Sequence, residues 1–513
     1  MRITNKIMQR NNLANINTNK VYQDNLSTQM STQKKISKAS EDPVVAIRAL
    51  RLRSNVTEVT QYYSKNIPDA KSWLEITEDA LKNQSQVMTN MIEQCTKGAN
   101  GDLTSSDRKI ILEQIKALAD EVYATANADY AGRYVFTGYR TDTSVSFKEA
   151  GKTDYAITEQ INPEALDSVT SVETGNLTKI TESNYMDAAY NGITEDAVSS
   201  ANVHRIRLSY ENCNADETPA ISYQALNTAG TGYEWTEWTD AVTMHSYENP
   251  YAAAAADDDA LIFVPETGEM LLGKNRYDAL MAVADDVATA ADESEIRVNY
   301  HKNVWNAGDL RPEHYFYCEA DGLKYNEDYL TAGKERQDIE YDVGFNQTVR
   351  VNSTADECFQ HGIGRTADDL LASLDQVIKL DELKNTLKSA LKSVPEGSAE
   401  AKTLNTQLQA VDKAYTMAKD KNQKLFEKGI TVFQKYLDDA SLSITNCGNR
   451  SKKLELIENR MQNQKTTFET LKSENEDVDI TEVAIHLSSA GLTYQAALMA
   501  TDKIAQTTLL NYI

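Results

Sequence analysis

Six histidines, His204, His245, His301, His314, His361 and His486, are the side chains best suited to proton transfer or metal binding near neutral pH. They are dispersed, and no His-Glu-x-x-His pair of helical zinc ligands occurs. His314 and Cys318 stand four apart in His314-Tyr315-Phe316-Tyr317-Cys318. On a strand they would share a face but stay too far apart to grip one ion, so this pair reads as packing. The five cysteines, Cys95, Cys213, Cys318, Cys358 and Cys447, are odd in number and form no Cys-x-x-Cys, which argues against a disulfide framework and a zinc site. Cys95 and Cys447 fall on apolar faces of expected helices, where a buried thiol is the plain reading. Asp257-Asp258-Asp259 lacks the glycine and closing glutamate of a calcium loop and reads as a solvated turn. Gly362-Ile363-Gly364-Arg365 precedes a helix, yet it has no Gly-x-x-x-x-Gly-Lys pattern and no third glycine, so it reads as a helix start. Tyr233, Trp235 and Trp238 cluster in the middle of the chain; core packing is preferred over a sugar or partner patch. No catalytic constellation emerges, and the expectation is no enzyme, no cofactor and no metal.

The elements that would position such residues are mostly helices. Only 8 prolines and 21 glycines interrupt 513 residues, which favours long helical runs. The length implies two to four domains or one elongated assembly. The formal net charge of −25 is uneven, because residues 140–360 hold 41 acidic against 15 basic residues while both flanks are near neutral. Such a middle stays solvated and repels its copies, and nucleic acid is an unsuitable partner. No run of eighteen apolar residues exists, so no membrane insertion is expected. The start, Met1-Arg2-Ile3-Thr4-Asn5-Lys6, has no apolar core of a cleaved signal peptide.

Residues 1–38 carry a thin apolar stripe with Ile3, Ile7, Leu13, Ile16, Val21 and Leu26, too sparse to hold a helix alone. Lysine and arginine outnumber acids ten to four in residues 1–60, which reads first as a solvated face. Asp42-Pro43 places an N-cap and a first-turn proline for the next helix. A pause is expected at Asn66-Ile67-Pro68-Asp69, and Ser105 or Ser106 is expected to cap the helix after Gly98-Ala99-Asn100-Gly101. From Tyr130 to about Gly364 the texture is strand-like. Ala260–Val264, Pro265–Gly268 and Glu269–Leu272 read as strand, turn, strand; Ile296–Tyr300 and His314–Cys318 read as strands. Helices are expected at Ala252–Ala256 and Tyr277–Ala291. Helix returns at Thr366 and again from Leu404 past Gly429 to about Ser473. In residues 479–513, Val483, Leu487, Ala490, Tyr494, Ala497 and Ile504 recur at a 3.5-residue period, broadened by Leu498 and Leu509. Ile485, Leu492 and Met499 make a second row at seven-residue spacing, and Asp479 with Glu482 suggests a capping box. A helix so exposed needs a partner, and residues 1–38 are the nearest candidate.

Three segments carry a family likeness. Ile36-Ser37-Lys38-Ala39-Ser40-Glu41-Asp42-Pro43-Val44-Val45-Ala46 resembles the I-x-x-A/P-S-D-D-P-x-x-A motif of the bacterial flagellin superfamily, with Glu41 replacing an aspartate. Gly132-Arg133-Tyr134-Val135-Phe136-Thr137-Gly138 with Thr141-Asp142-Thr143 is similar to its G-x-Y-x-F-x-G…T-D-T segment, and Asp479–Leu498 to its closing helix. Asp42-Pro43, the ending Leu509-Leu510-Asn511-Tyr512-Ile513 and the Tyr341–Asn352 strand pair sit closer to the hook–filament junction members than to filament flagellins.

The resemblance implies an α+β fold: long N- and C-terminal helices pairing as a coiled coil or bundle, with a β-rich insertion. It implies an assembly domain of residues 1–38 and 475–513, a helical rod of 39–139 and 365–474, and an outward-facing insertion of 140–364. The implied function is a structural subunit at the hook–filament junction, exported through the flagellar type III apparatus, its terminal helices ordering on assembly. Implied partners are further copies in a ring-like homo-oligomer, hook-associated protein 1, flagellin and a flagellar export chaperone. The alternative is a filament flagellin with a large surface domain. A catalytic or sugar-binding module in 140–360 rests on length alone.

Overall fold

A computed structural model describes residues 5–226, 233–282, 296–330 and 337–506. The fold is α+β, with long helices flanking a β-rich middle. The first helices are α1 (Asn5–Thr32), α2 (Pro43–Gln61), α3 (Ile67–Gly98) and α4 (Ser105–Thr125). Short α5 (Pro250–Ala256) and α6 (Lys274–Met281) lie among the strands, and α7 (Ala355–Cys358), α8 (His361–Ser393), α9 (Ala399–Glu476) and α10 (Ile480–Gln506) follow. The strands are β1 (Asp129–Tyr130), β2 (Arg133–Tyr134), β3 (Tyr155–Ile161), β4 (Asp167–Glu173), β5 (Ser199–Arg207), β6 (Ala220–Leu226), β7 (Tyr233–Trp238) and β8 (Val242–Thr243). After them come β9 (Leu261–Val264), β10 (Glu269–Leu272), β11 (Ile296–Lys302), β12 (Tyr317–Ala320), β13 (Leu323–Tyr325), β14 (Glu340–Gly344) and β15 (Gln347–Arg350). Among the described residues no helix is long and apolar enough to cross a membrane.

The chain forms two compact units, one of Met1–Lys71, Tyr341–Val349 and Lys452–Ile513, the other of Ser72–Glu340 and Arg350–Ser451. In the first, Asp42 caps α2 through Oδ1, which accepts from Val44 N at 2.9 Å and Val45 N at 3.1 Å, with Pro43 filling the first helical position. The expected pause near Pro68 is not a break. A π-helical turn, Tyr62–Asn66, carries α2 into α3, and Ile67 N donates to Tyr62 O. Pro68 has no N–H and its ring crowds the preceding turn, so one wider turn keeps the helix going.

In the second unit two sheets have the orders β4-β5-β10-β9-β8 and β13-β12-β3-β11-β6-β7. Their named pairs are antiparallel except β8 with β9. Burial alternates along β3 and β11, as one-sided strands require, whereas β9 and β10 are buried on both faces. The β9–β10 hairpin stands where the sequence placed it. Gly268 turns it at φ +61°, and an added Cβ would lie 1.9 Å from Tyr210 O. Aromatic side chains fill the interior, including Phe136 against Phe359 at 4.9 Å and Tyr210 against Trp305 at 5.2 Å between ring centres.

Several boundaries differ from expectation. Thr104, not Ser105 or Ser106, caps α4, because Asp107 answers it in a reciprocal capping box. His314 lies in a 3₁₀ turn, Pro312–His314, and β12 starts only at Tyr317; the ring of Pro312 favours that turn. Helix α8 starts at His361, five residues before Thr366. Gly362 and Gly364 are inside it, where Cβ atoms would meet the Tyr436 and Tyr123 hydroxyls at 2.0 and 2.7 Å. Helix α6 ends at Met281, and residues 283–291 of that expected helix lie outside the described residues.

Candidate assembly interface

Within the first unit α1 packs along α10. Leu26, Val483 and Ala490 are buried there, with Val478 and Leu487 against them. Ile16 is buried as well, and Tyr494 and Ala497 are half-buried. On α1 the covered positions run Asn12, Ile16, Asn19, Gln23 and Leu26, alternating steps of four and three. Three of these five are polar. The seam therefore holds few large apolar side chains, and little burial offsets the entropy of ordering α1.

The structure places Ile7, Leu13, Val21 and Leu498 on exposed sides of these helices. Ile504 lies in α10; Ile3 and Leu509 fall outside the described residues. Ile485, Leu492 and Met499 stand 64, 69 and 71% exposed, roughly half a turn from the Val483–Leu487–Ala490 seam. Each helix thus has one covered face and an apolar remainder facing solvent. Contiguous exposed apolar surface is a mark of interaction sites.

The turn between α1 and α2 is fastened to the segment between α9 and α10. Lys35 N donates to Glu476 O at 2.8 Å and Val478 N to Gln33 O at 3.1 Å. Arg53 grips Glu476 with two parallel bonds, Nε–Oε1 at 2.7 Å and Nη2–Oε2 at 2.8 Å. Lys34 pairs with Asp477 and approaches Glu476 Oε2 at 3.5 Å. The Arg53 hydrogen bonds hold the Glu476 carboxyl below its ordinary range. Inside the turn Glu41 accepts from Ser37 N at 2.7 Å and Ser37 Oγ at 2.8 Å, and these bonds lower its carboxyl too. A glutamate can therefore fill the place of the motif's aspartate. A cavity of about 200 Å³ opens beside this fastening, walled by Ile36, Val45, Ala49, Leu50 and Arg53.

Elsewhere the chemistry-bearing residues are packed or bridged. His314 Nε2 lies 3.1 Å from Ser144 O, and burial pulls its imidazole down to about 4, so it is neutral at pH 7. All five cysteines are buried and free, and desolvation raises their thiols. Among the described residues, Asp154, Glu217 and His301 form the one trio of donor atoms close enough to suggest a metal. The two carboxylates face opposite ring nitrogens, Asp154 at 3.3 Å from Nδ1 and Glu217 at 3.0 Å from Nε2. Trp235 is not a core residue as expected: it is 43% exposed, with the Arg297 guanidinium 4.2 Å over its ring. The sequence reading missed a buried ionic network of Arg205, Arg207, Glu269 and Asp369. In the sequence only the paired arginines of His204-Arg205-Ile206-Arg207-Leu208 hint at it.

The bacterial flagellin N-terminal helical region matches residues 3–141. Flagellar hook-associated protein 3 of Escherichia coli (strain K12) is 30% identical over 154 residues, covering 30% of this chain and 48% of that protein. The protein of the same name from Salmonella typhimurium (strain LT2) is 29% identical over 146 residues, 28% of this chain and 45% of the relative. A flagellin of Clostridium tyrobutyricum is 25% identical over 127 residues, 25% of this chain and 33% of its own. The chain thus spans about half the length of the hook-associated relatives it matches. The chain is thus similar to bacterial flagellins over their N-terminal helical region, and to hook-associated protein 3 over about 150 residues.

Proposed function

We propose that this chain, similar to hook-associated protein 3, is a non-catalytic structural subunit of the bacterial flagellum at the hook–filament junction. The observation that carries the reading is the α1–α10 pair, whose outer apolar row of Ile485, Leu492 and Met499 has no cover within the described part of the chain. Assembly would bury that row, with Ile7, Leu13 and Val21, against neighbouring copies in a ring. The polar seam fits helices that order only as the subunit takes its place. Export would run through the flagellar type III system on an uncleaved chain, with a chaperone shielding the C-terminal helix beforehand. Hook-associated protein 1 on the hook side and flagellin on the filament side are the proposed neighbours. The proposed division is a terminal coiled coil of 1–38 and 475–513, a rod of 39–139 and 365–474, and an outward insertion of 140–364.

The second reading, a filament flagellin with a large surface domain, draws on the Clostridium match. Deleting the gene and labelling the protein on isolated flagella separates the two. The junction reading expects hooks without filaments, flagellin shed into the medium, and label confined to the hook's outer end. Long attached filaments in the deletion strain, or label along the whole filament, would overturn it.

A further inference from the structure

The second unit holds a cavity with charged side chains in its wall that the assembly reading does not use. Its volume is about 400 Å³, bounded by the start of β4, the end of β5, and helices α8 and α9. Arg205 and Arg207, two apart on β5, share a face. Their cross-strand neighbours are Asp167 of β4, opposite Arg205, and Glu269 of β10, opposite Arg207. Arg365 from α8 and Lys428 from α9 bring the cations in the wall to four.

The carboxylates around them are unequally shared. Arg205 bonds Glu269 through Nη1, and through Nη2 bonds Asp369 Oδ2 at 2.7 Å and Asp167 Oδ2 at 3.2 Å. Lys428 takes the other Asp167 oxygen at 2.6 Å. Arg365 is held by Leu208 O at 3.1 Å, Thr267 O, and Asp368 Oδ2 at 3.4 Å. Arg207 Nη1 pairs with Asp369 Oδ2, the oxygen Arg205 also uses, and the Nε of Arg207, like that of Arg205, is buried without a hydrogen-bond partner. The Arg207 side chain is 15% exposed. Burial first, then repulsion from Arg365 and Arg205, pulls its guanidinium down to about 9 against the attraction of Glu269 and Asp368. The remaining lining carboxylate, Glu164, is exposed to solvent.

We propose that this cavity binds a small oxyanion of the phosphate, sulfate or carboxylate type against Arg207. A guanidinium edge offers two parallel N–H donors, a spacing that two oxygens of one oxyanion match and a chloride does not. Asp167 repels such a guest little, since Arg205 and Lys428 bridge it, while Asp369 competes with the guest for Arg207. The Tyr436 hydroxyl and the His361 ring border the same space. This inference stands apart from the junction reading, because it uses none of the terminal helices.

The test is thermal unfolding of the full chain in sodium phosphate, sulfate or acetate, each compared with sodium chloride at matched ionic strength. The unfolding midpoint is expected to rise saturably with at least one oxyanion above the chloride reference. Which salt acts separates phosphate-like from carboxylate-like guests. Arg207→Gln should raise the half-saturating concentration about tenfold or more, the loss of a charge-assisted bond. Arg207→Lys, which keeps the charge but not the fork, should fall between. If all three salts track chloride in the wild-type protein, or if both variants saturate as the wild type does, the proposal is overturned. Should neither variant fold, the wild-type comparison with chloride decides alone.

Discussion

Replacing Arg53 with methionine isolates the fastening between the α1–α2 turn and Glu476. Methionine keeps an apolar stem and removes both donors. Glu476 is only 4% exposed, while the Arg53 side chain is 56% exposed. Breaking a fully buried pair from one side costs about 3–5 kcal/mol, and losing an exposed pair about 0–1. Lys34, 3.5 Å from Glu476 Oε2, remains to share the charge. The loss should therefore sit near the ~1–2 kcal/mol of one charge-assisted hydrogen bond. At about 1.4 kcal/mol per tenfold, the opened turn becomes roughly five to thirty times more populated. Limited proteolysis across residues 33–42 at pH 7 reads that population directly. A pH series adds a second check. The Glu476 carboxyl is depressed from its ordinary 4.5 first by the Arg53 bonds, so the fastening is at full strength above that value and is lost as pH falls through the lower folded value. The gap between wild type and Arg53→Met should close across that window. Equal cleavage of the two proteins at pH 7, or a gap that persists in acid, would refute the reasoning.

Two further perturbations test the helix faces and the interior. Val483→Asp puts a charge into the seam and should cost the ordered α1–α10 pair about 2–4 kcal/mol, seen as faster cleavage of α1 in assembled flagella. Ile485→Asp, on the outer row, should leave the isolated chain within ~0.5 kcal/mol yet abolish incorporation into flagella; the opposite pattern would assign the faces the other way round. His314 is held near 4 by burial against an ordinary 6.5, so the folded state binds fewer protons between those values. Stability should then fall as pH drops from about 6.5 to about 4. His314→Asn should flatten that part of a urea-midpoint profile, and an unchanged profile would count against a neutral buried ring.

How far these features could be read from sequence depends on whether the signal is local. The α10 seam was legible because Val483, Leu487 and Ala490 state a 3.5-residue period in apolar side chains alone. The α1 side was less so, since Asn12, Asn19 and Gln23 occupy covered positions that a search for apolar residues passes over. Asp42-Pro43 and the β9–β10 hairpin were legible because caps and tight turns are written in adjacent residues. The π-helical turn at Tyr62–Asn66 was not, because proline announces a conflict without saying whether the helix breaks or widens. Least legible was the Arg205 network: Asp167, Glu269 and Asp369 meet there through strand register and a helix more than 150 positions away. The six-stranded order, with β3 between β12 and β11, likewise follows from long-range pairing that no window contains.

Helix faces and charge constrain the proposed assembly together. A row such as Ile485, Leu492 and Met499 can be buried only if copies approach closely at that helix, and close approach multiplies every like charge nearby. The paired ends answer this by composition. Residues 140–360 hold 41 acidic and 15 basic residues, whereas the flanking residues, terminal helices included, are close to neutral. With residues 140–360 facing outward as proposed, repulsion between copies would be concentrated where solvent and salt screen it, within about 10 Å at ordinary ionic strength. Apolar burial is concentrated where little opposes it. Were the acids spread evenly along the chain, the same outer row would have to overcome repulsion at its own surface. A helix covered on one face by a polar-flecked seam would then lack the affinity to hold its place. The separation of charge from apolar surface along the sequence is thus a condition for the proposed interface, as much as the 3.5-residue period that would build it.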